Sequence, residues 1–353
     1  MKIQKSELAQ KISKIKSVVP KKGNNPVLQG VLCKDGYLAA NNMQIMVKVK
    51  LEDMGEDAFV IPAKAFDLIC SLPDGEVEII PEDNDMIMIK AEKIKNRYHT
   101  VNPIMFPAAG FLEEGENNVT INSSLLLESM RRVLYAIPTT YPNPALTAML
   151  LSAAGGSLNF VGTDSHVLAW DKITYDGEFK LLIPKAAAEK IQSIGLTGEV
   201  SIKHNATSAA FITDEYEIHT RIMSSDYIKY QALFKELPMH TITERAGLLD
   251  AVARARMCTD GRSVVKFWIS GETLNINCKD SSTDYDEVVL LQEPFEQDLT
   301  IGIDAELVIE TLKAFDCKNI RLRFAGAKQP MFVEAEDSNF KALILPVVIQ
   351  EDK

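Results

Sequence analysis

The 353-residue chain has no stretch approaching the roughly 20 apolar residues of a membrane-spanning helix. Its start, Met1-Lys-Ile-Gln-Lys-Ser-Glu, contains no apolar run of signal-peptide length, so a cytoplasmic protein is expected. Paired cysteines are also lacking. Cys33, Cys70, Cys258, Cys278 and Cys317 are odd in number, scattered and never in C-x-x-C spacing, which predicts buried free thiols rather than disulfides or zinc. Catalytic signatures are missing too: no G-x-x-x-x-G-K-[ST], no dinucleotide fingerprint, no H-E-x-x-H. The five histidines show no ligand spacing, and no metal or cofactor is expected. Asp164-Ser165-His166 contains the residue types of a catalytic triad, but neighbours in extended chain point to opposite faces and cannot relay a proton to one another. We expect no enzyme.

What is present is repetition. Phe59-Val-Ile-Pro62 reads as a strand that leads into a helix, followed by a turn at Pro73-Asp74-Gly75 and a second strand to Ile80. The same order recurs from Phe179 through Pro184 to Ile202, and from Leu299 through Asp304 to Phe324. Pro62, Pro184 and Asp304, each placed where a helix begins, stand 122 and 120 residues apart, the size of a domain rather than of a solenoid repeat. Buried stripes follow at helical spacing: Ala65, Leu68, Ile69 and Leu72; Ala187, Ile191 and Ile194; Val308, Leu312 and Phe315. A second helix opens each repeat, over residues 2–22, 124–137 and 244–256, with Leu8, Leu126 and Leu248 in register and Leu8, Ile12 and Ile15 as the first buried stripe. Alternating strands fill Val27 to Val49, Met149 to Ile173 and Val264 to Leu291, and again Met86 to Val101, Ala209 to Met223 and Met331 to Ile349. The expected fold class is α+β, three tandem two-helix β-rich repeats at 1–118, 119–238 and 239–353, with linkers at about 110–119 and 238–243.

A net charge of −11 argues against nucleic acid, yet the charge is unevenly spread. Residues 2–22 carry Lys2, Lys5, Lys11, Lys14, Lys16, Lys21 and Lys22 against Glu7 alone. Arg131, Arg132, Arg245, Arg254 and Arg256 lie on the related helices, and Lys64, Lys185, Lys190 and Lys313 on the central ones. Acid concentrates in turns and strand ends such as Glu52-Asp53, Glu56-Asp57, Glu82-Asp83, Glu113-Glu114 and Asp284 to Glu287.

Three such repeats, the element Gly162-Thr-Asp-Ser-His-Val-Leu-Ala169, Ile61-Pro-Ala-Lys64, Ala253-Arg-Ala-Arg256 and the ending Ala342-Leu-Ile-Leu-Pro-Val-Val-Ile349 together resemble the bacterial DNA polymerase III beta subunit, the sliding clamp. The resemblance covers the whole chain. It implies a DNA-clamp fold, one chain forming half of a closed ring, and a homodimer that encircles duplex DNA of any sequence and tethers a replicative polymerase, a clamp loader and other proteins with clamp-binding motifs. By the same resemblance the ring lumen is lined by Lys11, Lys14, Lys22, Lys64, Arg131, Arg132, Lys190 and Arg254. Its partner-peptide pocket corresponds to Leu146, Thr163, Ser165, His166, Val167, Leu168, Lys235, Leu343, Ile344, Leu345, Pro346, Val347 and Val348. Tyr98, Thr100, Met257 and Cys258 match dimer-interface positions.

Departures bear on the pocket. Ser165 and Val167 stand where the family usually has glycine and arginine, Val348 where arginine is common, and the Gln350 to Lys353 tail is unusual, so apolar peptide anchors are expected. Taken alone, Leu343 to Val347 also reads as a buried final strand. The competing function is a DNA-processing enzyme with the basic helices as its groove, which would need clustered carboxylates that the acidic turns do not suggest. A trimeric ring fits chains of two repeats, whereas this one has three.

Overall fold

The computed structural model describes residues 1–21, 25–51, 57–108, 112, 117–259, 263–279 and 283–349. Lys22, the Gln350 to Lys353 tail, most of the 110–119 linker and the acidic turns at Glu52-Asp53, Glu56 and Glu113-Glu114 fall outside them.

One order of elements runs three times. The first repeat is β1 (Lys2–Gln4), α1 (Lys5–Ile15), β2 (Gly30–Lys34), β3 (Tyr37–Asn41), β4 (Ile45–Lys50), β5 (Phe59–Pro62), α2 (Phe66–Ser71), β6 (Glu76–Glu82), β7 (Met86–Ala91) and β8 (Ile94–His99). The second is β9 (Asn117–Asn122), α3 (Ser123–Leu134), β10 (Ala148–Ala154), β11 (Ser157–Thr163), β12 (Val167–Thr174), β13 (Phe179–Pro184), α4 (Lys185–Ile194), β14 (Glu199–His204), β15 (Ser208–Ile212) and β16 (Tyr216–Arg221). In the third, β17 (Met239–Glu244) and α5 (Arg245–Met257) precede two long strands, β18 (Val264–Lys279) and β19 (Asp284–Asp304), before α6 (Ala305–Ala314), β20 (Asn319–Phe324), β21 (Met331–Glu334) and β22 (Lys341–Ile344). The pairing of β18 with β19 shifts register on both sides of Gly271, whose φ of 52° suits glycine.

Local chemistry explains the elements. Leu8, Ile12 and Ile15 are fully buried one helical turn apart, as the stripe predicted. Asp304 caps α6, its Oδ1 accepting from the amides of Glu306 (2.8 Å) and Leu307 (3.3 Å). The stretch 2–22 is not one helix, because Ile3 is drawn into β1 opposite Val77 of β6. Residues 238–243 are not a linker: β17 begins at Met239 and pairs with β20 from Met239↔Phe324 to Glu244↔Asn319.

The chain forms two compact units, residues 1–127 with 189–224 and residues 128–188 with 225–353. The first holds a four-stranded sheet, β1-β6-β7-β8, and an eight-stranded sheet, β5-β2-β3-β4-β16-β15-β14-β9. The second holds a ten-stranded sheet, β13-β10-β11-β12-β22-β21-β20-β17-β19-β18. The units cut across the expected repeat boundaries because strands of successive repeats join into one sheet: β4 pairs with β16 and β12 with β22.

The β4:β16 junction carries a titratable contact. Glu217 receives a hydrogen bond from His219 (3.2 Å) and lies 3.2 Å from the Lys48 ammonium across the strands. The His219 hydrogen bond first and Lys48 after it outweigh burial and hold the carboxyl down at about 2. A depressed carboxyl stabilises the fold above its unfolded value of 4.5 and loses that contribution as pH falls towards 2. Wild type should therefore exceed Glu217→Gln by about 1 to 2 kcal/mol near pH 6, with the gap closing by pH 2.5. Urea unfolding at the two pH values checks this, and a pH-independent gap would refute it.

Candidate nucleic-acid and partner interfaces

Many of the helix cations are already engaged. Lys190 is only 8% exposed, and its ammonium donates to Lys14 O and, at 2.8 Å, to Ser17 Oγ. Burial, with Lys14 nearby, pulls its pKa down to about 8. It closes the carbonyl end of α1 and is not placed to meet a phosphate, which corrects the lumen expectation for this residue. Lys14 does the reciprocal job for α4, donating to Ser193 O (3.3 Å) and Ile194 O (2.9 Å). Arg245 does the same for α6 through Leu312 O and Cys317 O.

Arginines on α3 and α5 meet acids. Arg132, its side chain 18% exposed, lies between Glu128, Asp171 and Asp316, and the Asp171 carboxylate is 1% exposed. Such a buried pair positions α3 against β12 and engages Arg132 in the scaffold. Arg131 pairs with Asp316, and Arg254 grips Glu287 through two nitrogens at 2.5 and 3.0 Å. Lys11 donates to Lys50 O (2.8 Å) and reaches Glu215 (3.5 Å). Of the expected lumen residues, Lys64 is exposed, and among the described residues no carboxylate lies within ion-pair distance of it, of Lys16 or of Lys21, which are exposed as well.

The expected peptide-pocket residues divide by strand face. Gly162 lies against the last turn of α3: a Cβ there would meet Val133 O at 2.5 Å. Its cross-strand partner is Ala169, so Val167, two residues before Ala169, also faces the helices, as does Ile344 opposite Val167. Val167 and Ile344 are buried on that inner face. Leu168 and Leu343, paired with each other, face outward, with Phe332 beside Leu343. Both leucines are almost fully buried, as are Leu146 and Thr163. The exposed members are Ser165, His166, Lys235, Leu345 and Val348, with Pro346 and Val347 half-buried.

The loop before β12 has its own logic. Asp164 Oδ1 accepts from the amides of His166 and Val167 at 2.8 Å each, and Thr163 Oγ1 from that of Ser165 at 3.1 Å. Ser165 sits at φ 73°, which accounts for glycine being usual there, and its hydroxyl is 2.6 Å from that of Tyr141. The carboxylate thus shapes a turn. Beyond it, Leu345 N donates to His166 O (2.8 Å) and Val347 N to Gly302 O (2.9 Å), which fasten the C-terminal segment to this loop and to β19.

Sequence reasoning missed an aromatic cluster on the same outer face. Trp170 packs edge-on against Tyr230 at 5.2 Å and against Phe234 at 5.3 Å, and Phe234 against Phe332 at 5.2 Å. Period-two spacing from Leu168 to Trp170 was the available signal. Among the described residues no three His, Cys, Asp or Glu side chains group as a metal site, and no helix is long and apolar enough to cross a membrane.

The fold is that of the sliding clamps. The clamp from Bacillus subtilis superposes with a TM-score of 0.92 at 22% identity, over 99% of both chains. The clamp from Pseudomonas aeruginosa bound to griselimycin does so with a TM-score of 0.92 at 21% identity, also over 99% of both. In sequence, the beta sliding clamp of Bacillus subtilis is 23% identical over 374 aligned positions, covering 98% of each chain, and that of Chlamydia trachomatis 25% identical, covering 99% of this chain and 87% of its own. Family models for the N-terminal and C-terminal domains of the DNA polymerase III beta subunit match residues 1–109 and 231–348. The chain belongs to the DNA polymerase III beta subunit family.

Proposed function

We propose that the protein is a DNA sliding clamp: a non-catalytic processivity factor whose homodimer encircles duplex DNA and tethers the replicative polymerase, the clamp loader and other partners. Family membership supports this reading, and with it goes a cytoplasmic location close to the chromosome. The observation that carries the ring is a junction made twice within the chain and left open once. β4 pairs with β16 and β12 with β22, always the fourth strand of one repeat's first half with the last strand of the next repeat. β8, the corresponding last strand of the first repeat, pairs with β7 alone among the described residues and so leaves a sheet edge, and the corresponding stretch of β19 starts at Asp284.

Register follows from the repeats. Lys95, Glu217 and Lys341 are equivalent, each one strand over from Lys90, Ile212 and Glu334. Glu217 faces Lys48, and Lys341 faces Trp170. Cys278, whose thiol reaches Ala255 O near the end of α5, takes the place of Gly162, so its partner Tyr285 takes that of Ala169 and Asp286 that of Trp170. Two chains joined head to tail then set Asp286 opposite Lys95 and Asp284 opposite Arg97, so cation meets carboxylate twice. Tyr98 and Thr100 lie along this edge, and exposed Met257 with Cys258 at the end of α5 belongs to the other side of the same proposed interface.

DNA contact is assigned mainly to Lys16, Lys21 and Lys64, with Lys11, Arg131 and Arg254 available after exchange of their acids for phosphate. With clamp loader and ATP, the protein should stay on nicked circular plasmid through gel filtration and leave when the plasmid is cut. Replacing Lys16, Lys21 and Lys64 together by alanine should lower the log–log salt slope of DNA binding by about 2 to 3. Equal retention on linear and circular DNA, or magnesium-dependent cleavage, would refute the clamp reading.

A further inference from the structure

Of the expected docking residues only Lys235 borders a cavity of about 230 Å³ whose lining includes Phe234, Lys235, Glu236, Arg323, Glu334 and Lys341. Its chemistry is uneven. Glu334 is committed to Arg323 at 2.9 Å, although Lys341 stands directly across the strand pair from it. The Lys341 ammonium is instead held over Trp170 at 4.7 Å and over Phe234 at 5.3 Å. Among the described residues, no carboxylate lies within ion-pair distance of it, and the charges that act on it are Glu334, which favours its cation, and Lys172 and Arg323, which oppose it. Burial lowers its pKa, the cost of keeping a half-buried cation without a counter-ion.

We propose that this cavity is an acid-recognising subsite: Lys341, steadied by Trp170 and Phe234 and flanked by Lys235 and Arg323, receives a carboxylate side chain of the docked partner peptide. The occupant follows from position. Lys341 and Leu343 are two residues apart on one strand and face the same way, as are Trp170 and Leu168 on the next, so the cavity continues the Leu168–Leu343 row at a distance of about 7 Å. A peptide with an apolar anchor over Leu168 and Leu343 places a glutamate or aspartate about two extended residues away at Lys341. Apolar anchors and an acidic flank are thus read by adjoining parts of one sheet face. A carboxylate supplies the counter-charge that Lys341 lacks, and the two ring faces hold the ammonium where it is met, so little side-chain freedom is lost on binding.

This inference rests on the docking reading, and its test separates the two. Fluorescence anisotropy is measured with a labelled peptide carrying a leucine-phenylalanine anchor and a glutamate two residues before it, and with its glutamine counterpart. The glutamate peptide should bind wild type about tenfold more tightly. Lys341→Gln should erase that preference, and Lys341→Arg should retain it. Equal affinities in wild type, or a preference that survives Lys341→Gln in a protein with unchanged circular dichroism, would overturn the subsite while leaving docking intact. Binding of neither peptide would defeat the docking reading and the subsite with it.

Discussion

Exchanging Lys95 and Arg97 together for glutamate should convert the proposed dimer to monomers at micromolar concentration. In the proposed register the two substitutions set four carboxylates face to face along one strand pair, and like charges so placed cost several kcal/mol, enough for about a 100-fold to 1,000-fold rise in the dissociation constant. β8 is an exposed edge and, among the described residues, Arg97 forms an ion pair only with Glu82 of its own sheet, at 2.7 Å, so the fold of each chain should survive. Adding Asp284→Lys and Asp286→Lys restores opposite charges and should restore the dimer. Sedimentation velocity across protein concentrations checks both steps. A double variant that sediments as wild type, or a fourfold variant that remains monomeric, would show that the register is wrong.

The second large effect falls on stability. Arg132→Met should lower the stability of the unit formed by residues 128–188 and 225–353 by about 3 to 5 kcal/mol, because it strands the Asp171 carboxylate in the interior. Asp171 would keep the amide of Lys172 at 2.9 Å as a donor, too little for a buried charge. The double variant Arg132→Met with Asp171→Asn removes both charges and should recover most of the loss. Urea midpoints give the answer. An unchanged midpoint in Arg132→Met, accompanied by weaker DNA binding, would return Arg132 to the list of phosphate contacts.

That pair also shows where sequence reading ends. The stripes Leu8-Ile12-Ile15 and Val308-Leu312-Phe315 were legible because an apolar residue every three or four positions has one physical use in a helix, and all six are buried. A lysine or arginine on such a helix has two, solvent or the carbonyl end of a neighbour. Lys190 and Arg132 took the second, and only contacts with Lys14 and Asp171, 176 and 39 residues away, decide it. The opening strands were lost for a related reason. β1 has three residues and β17 occupies an expected linker, and partners such as Val77 and Phe324 lie too far along the chain for local pattern to find them. Within the pocket, thirteen positions from four parts of the chain rest on a family resemblance. Alternation along β12 and β22 then divides them, Leu168 and Leu343 outward, Val167 and Ile344 inward.

The repeated strand junction has a consequence for how such a ring would open. β4:β16 and β12:β22 are held at an effective concentration set by the polypeptide between them, so they persist however dilute the protein. The third junction has no covalent tie. Its closure answers to mass action, and its opposed Lys95, Arg97, Asp284 and Asp286 answer to ionic strength. A ladder that acts as a weld twice acts the third time as a latch, and a loader has to break only the joint that dilution and salt already weaken.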